Sequence, residues 1–177
     1  MDVWPVMVES WQLECCGHPP TVGDDIAWTL NLINPGDVAE PEDFLSTLAV
    51  EAEPHGQPEH DAYPTLIRHR GLTAYWRAPR STRGRTRVRG LLLEDHHIDV
   101  PDDMPATYGT VRQVRVVTQT HELRQGGDQG WFPVPGTVRT REVTTSPASF
   151  FDGDLDGNEP LPIETGILVD LAVHDHI

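Results

Sequence analysis

Thr86-Arg87-Val88-Arg89-Gly90-Leu91-Leu92-Leu93 decides how this chain is read. Upstream it is preceded by Arg83 and Arg85, so four arginines recur with period two. A period of two is that of a β-strand, whose side chains alternate between faces. Arg83, Arg85, Arg87 and Arg89 would share one face at ~6.7 Å spacing. Val88 and Leu92 fall on the other face, with Gly90 between them. One side of this strand is built for water or a partner and the other for a core.

Similar short β-prone runs, each ended by a turn, recur along the chain. They are Val6–Leu13, Ile26–Ile33, Leu72–Arg77, Thr110–Thr120, Thr137–Thr145 and Ile167–Val173. Asn34-Pro35-Gly36-Asp37 is a strong turn after the second. Seven strands with punctuation between them predict an all-β fold, a small barrel of the SH3-like or OB-like kind or a two-sheet sandwich. One short helix is expected over Glu42–Leu48, where Pro41 suits a helix start and acids fill the first turn. Glu51–Pro64, Gln125–Pro135 and Ser146–Pro162 are expected to be long loops. The 177 residues fit a single domain, residues 1–177, able to bury a core without disulfide or metal staples.

Charge is distributed unevenly. All 13 basic residues are arginine, between Arg68 and Arg141. The formal charges of residues 1–67, 68–141 and 142–177 are −13, +6 and −8, giving the net −15. An all-arginine base content is what a GC-rich coding sequence yields. So acidic a chain repels nucleic acid and anionic membrane, and would bind either only through a local basic face. The start, Met1-Asp2-Val3-Trp4-Pro5, lacks the basic and apolar regions of a signal peptide. No apolar run approaches the ~18 residues of a membrane span. The expectation is a cytoplasmic protein with reduced thiols.

Three constellations could carry chemistry. The arginine face of Arg83, Arg85, Arg87 and Arg89 suits an acidic protein or an anionic ligand, because guanidinium forks pair bidentately with carboxylate and phosphate. Its ordinary alternative is a solvent face paired with the chain's own acids. Aromatic residues interleave poorly with these arginines, which argues against single-stranded nucleic acid. The acidic flanks could also meet the arginine band of a second copy.

The second constellation joins Cys15, Cys16 and His18 with His96 and His97. Thiolate and imidazole are zinc ligands, and convergence of these segments would give a zinc site or a metal-dependent enzyme. Against it, adjacent cysteines strain tetrahedral geometry, and the segment reads equally as a tight turn. The third is Asp152-Gly153-Asp154-Leu155-Asp156-Gly157, which copies the first half of a calcium loop. Pro160 and Pro162 interrupt its second half, and position 12 is Ile163. No nucleophile elbow, P-loop, dinucleotide fingerprint or HExxH motif is present, so no reaction is identified.

Trp11-Gln12-Leu13-Glu14-Cys15-Cys16-Gly17-His18-Pro19-Pro20-Thr21-Val22-Gly23-Asp24-Asp25-Ile26-Ala27-Trp28 carries a resemblance. It is similar to the opening W-Q-x-x-C-C-G-x-P-F-x-V-G-D-x-V-x-W of a family of small proteins from high-GC actinobacteria, a domain of unknown function. His97 and Thr118-Gln119 also look like family features. Pro20 departs from the pattern, which has an aromatic there. The resemblance implies that the Cys-Cys-Gly turn recurs in the group, and it implies no activity. The reading reached from sequence is a non-catalytic binding module using the arginine face, with the zinc site as the alternative.

Overall fold

The computed structural model describes residues 2–95, 100–127, 129–153 and 157–175. It is an all-β protein: β1 (Val3–Glu9), β2 (Asp25–Trp28), β3 (Leu30–Ile33), β4 (Leu45–Pro54), β5 (Tyr63–His69), β6 (Leu72–Ala78), β7 (Gly84–Glu94), β8 (Thr107–Arg124), β9 (Gly130–Pro133), β10 (Arg139–Val143) and β11 (Leu161–Val173), with one α-helix, α1 (Ser10–Cys15). Five strands close into a small barrel. The meander β4-β5-β6 is closed by β7, which runs antiparallel to β4, and by β3, which bridges β7 and β6.

Long strands hold the rest to the barrel. β1 lies parallel to the end of β7 through Val6↔Leu92 and Met7↔Leu93. Next comes β11, antiparallel to β1, and then β8, whose far edge carries β2, β9 and β10.

Alternation produces the core. On β4, Ser46, Leu48, Val50 and Ala52 are buried, and Thr47, Ala49, Glu51 and Glu53 are exposed. Leu48 and Val50 fill the barrel with Leu30, Ile67, Leu72 and Val88. A second cluster, with Val8, Leu13, Val114 and Val169, lies between α1 and the outer strands. Fully burying a Leu or Val is worth about 1.5–3 kcal/mol, so both clusters contribute to holding the fold together.

The structure corrects several local expectations. Residues 42–48 do not form an α-helix. Pro41 does start a helical turn, but it is a 3-10 turn at Glu42–Phe44, and the chain then enters β4. Alternation along Leu45–Pro54, which buries one face against β7, outweighs the acidic helix-start pattern. The helix instead occupies Ser10–Cys15, ending a strand expected to continue to Leu13. Its length of 6 residues is too short to stand alone, and burial of Gln12 and Leu13 fixes it. The expected loop Glu51–Pro64 shrinks to the turns between β4 and β5, and Gln125–Pro135 contains β9. Ile26–Ile33 breaks at Thr29, whose carbonyl accepts the Asp95 N–H. That break lets the chain leave β8 at β2 and join the barrel at β3.

Candidate functional site

The arginine face lies on the outside of the barrel. Register places Arg85, Arg87 and Arg89 of β7 opposite Glu51, Ala49 and Thr47 of β4. All three arginines are exposed, as is Arg83, in the loop just before β7. Across β4, Arg68 of β5 stands opposite Glu51. The face is not purely cationic. Arg85 Nε approaches Glu51 at 3.8 Å, Arg89 pairs with Glu42, and Arg68 donates to Glu53 Oε2 at 2.9 Å. That hydrogen bond, then the charges of Arg68 and Arg83, hold the Glu53 carboxyl below its ordinary range. Arg83 and Arg87 make no hydrogen bond or ion pair with another of the described residues.

A shallow cavity of about 390 Å³ opens where this face meets the turn after β5. Glu51, Arg68, His69, Arg70 and Arg85 line it. His69 Nδ1 lies 2.6 Å from Ala49 O and its Nε2 3.2 Å from Asp2 Oδ2, which also accepts from Arg70 at 2.8 Å. The cations here thus arrive with carboxylates beside them, Arg85 with Glu51 among them.

The cysteine turn lies elsewhere, at the end of α1. Cys16 N and Gly17 N both donate to Gln12 O, closing the helix. The Gln12 amide, almost wholly buried, donates to Glu94 O at 2.7 Å and ties the helix to the end of β7. Cys15 and Cys16 are exposed thiols with sulfurs 3.1 Å apart. The hydrogen bond with Cys15 pushes the Cys16 thiol up, and desolvation and the charges of Cys15 and Glu94 act in the same direction. A thiol raised this way stays protonated at neutral pH, the opposite of an activated nucleophile.

Cys16, His18, Trp28 and Glu94 line one cavity of about 240 Å³. The fold therefore brings Cys16 and His18 to the end of the strand that leads into His96 and His97. Those two histidines lie outside the described residues. Among the described residues, no three His, Cys, Asp or Glu side chains are grouped to hold a metal ion. Of the acidic loop, Asp152 is exposed, and Asp154 and Asp156 lie outside the described residues.

Sequence reasoning named neither Glu94 nor Gln12 as a site residue, although Gln12 lies in the Trp11–Trp28 motif. Both are polar residues buried below one-tenth exposure, and neither stands out by type or spacing. Arg68 and Arg70 also escaped notice, because only strand pairing brings β5 beside β7 through β4.

No helix among the described residues is long and apolar enough to cross a membrane. No curated protein and no solved structure matches the chain. A family of unknown function, DUF6578, matches residues 2–173, and the chain belongs to that family.

Proposed function

We propose that this protein is a non-catalytic binding module that uses the outer arginine face of its barrel to hold an acidic partner. The carrying observation is the row Arg85, Arg87 and Arg89 on one exposed barrel strand, extended by Arg83, with Arg83 and Arg87 making no hydrogen bond or ion pair with another described residue. A strand paired with β4 holds the backbone that carries these arginines at fixed spacing, which lowers the ordering cost of binding. An extended acidic segment with carboxylates at every second residue matches that spacing. Such binding is salt-sensitive, because exposed charges are screened beyond about 10 Å at 0.1 M salt.

The test is retention of the full chain on immobilised oligo-glutamate. Retention at low salt, lost at high salt and lost in R83Q/R85Q/R87Q/R89Q, is expected. A quadruple variant retained as well as the parent removes the reading.

A second reading, a zinc site, is favoured by one observation: Cys16, His18 and Glu94 share a cavity. Elemental analysis of protein purified without chelator or metal-affinity resin separates the two. Near-stoichiometric zinc lost in H18A and in C16S would put the metal reading first.

A further inference from the structure

The vicinal thiols have a chemistry that the arginine face does not use. Cys15 and Cys16 are exposed, with sulfurs 3.1 Å apart. Their turn is fixed from beneath by the two N–H bonds to Gln12 O and by Gly17. A Cβ at residue 17 would stand 2.7 Å from Leu13 Cα. Beside Cys16 the cavity of about 240 Å³ has an apolar wall of Val8, Leu13, Ala27 and Trp28.

The sulfur separation fits a narrow chelate angle. With metal–sulfur bonds of ~2.3 Å, sulfurs 3.1 Å apart subtend about 85° at the ion. Tetrahedral zinc asks for about 109°, which places the sulfurs about 3.8 Å apart. Zinc also needs two more ligands, whereas a pyramidal trivalent ion with angles of about 90° needs only one. Soft thiolates favour such thiophilic ions.

We propose that Cys15 and Cys16 form a bidentate site for trivalent arsenic or antimony carrying one organic substituent, which lies against the Trp28 wall. With an aryl arsine oxide, two As–S bonds form and the As=O bond breaks. The oxygen leaves as water with both thiol protons, and arsenic stays trivalent, so no oxidant or reductant is needed. The site shares no residue with the arginine face and stands or falls apart from it.

The experiment uses the reduced full chain and phenylarsine oxide, read by native mass spectrometry. One adduct per chain is expected, with the mass of one phenylarsine oxide less one water. It should resist 2-mercaptoethanol and be released by 1,2-ethanedithiol. In C15S and in C16S retention should fall about 100-fold or more, because the second sulfur binds intramolecularly at high effective concentration. Absence of the adduct, its persistence in either variant, or its removal by monothiol overturns the proposal.

An unfolded vicinal dithiol also reacts, so thermal unfolding supplies the second readout. One equivalent of phenylarsine oxide should raise the midpoint of the parent chain, as a ligand preferring the native state does. An unchanged or lowered midpoint overturns a site formed by the fold. Equimolar zinc should leave adduct formation unchanged, and protection by zinc would overturn the selectivity derived from the sulfur separation.

Discussion

Gly90 sits inside β7 where β3 and β4 both approach. A Cβ there would stand 2.3 Å from Ile33 O and 3.0 Å from Leu32 Cγ, so β3 would have to shift to admit one methyl group. Gly90→Ala should lower stability by about 1–3 kcal/mol, as overpacking does, measured by urea unfolding. Three residues back, Arg87 makes the contrast: Arg87→Gln, at an exposed position, should change stability by less than about 0.5 kcal/mol. Cys16 offers a residue-scale test of environment. Since the bond with Cys15 is the first cause of its raised thiol, alkylation of Cys16 in the intact chain should have a midpoint above the ordinary ~8.5. Cys15→Ser should bring that midpoint down, as followed by peptide mapping after iodoacetamide at graded pH.

At the scale of elements, pairing outweighs local preference. Residues 42–48 carry a proline and acids suited to a helix start, yet Leu45–Pro54 is a strand because its alternate residues complete the barrel wall. The pattern was present in the sequence, masked by a start pattern that needs only one turn to be satisfied. β5 was less legible, since Pro64 stands near its start and its outward Leu66 is buried, covered together with Tyr75 and Met104. β8 docks on β6 through one hydroxyl: Thr107 Oγ1 accepts from Thr73 N at 2.9 Å and donates to Thr73 O at 2.7 Å, all buried. The isosteric Thr107→Val leaves the Thr73 groups without these partners. It should cost about 1–3 kcal/mol by urea unfolding, with little change in circular dichroism.

Across the whole molecule, the segregated charges become local pairs. Acids before residue 68 meet arginines from residue 68 onward: Asp2 with Arg70, Glu42 with Arg89, Glu51 with Arg85, Glu53 with Arg68. Exposed pairs of this kind contribute little individually. Their pH dependence is still readable at Glu53, whose folded carboxyl lies below its ordinary value. A depressed acid adds stability above its unfolded pKa of ~4.3 and loses that addition as pH falls through the folded value. The stability difference between the parent chain and Glu53→Gln should therefore be constant at neutral pH and shrink toward zero below about pH 4 in paired urea titrations.

The sequence by itself determined the all-β class and the outward arginines of β7. Those follow from composition and from period-two alternation, which is local. Only the tertiary structure decided that five strands close as a barrel, that α1 rather than residues 42–48 is the helix, and that Gln12 and Glu94 meet the Cys-Cys-Gly turn. Each of these depends on contacts between segments far apart in the chain. Gln12 and Glu94 are 82 residues apart, and nothing in either local sequence specifies the other as its partner.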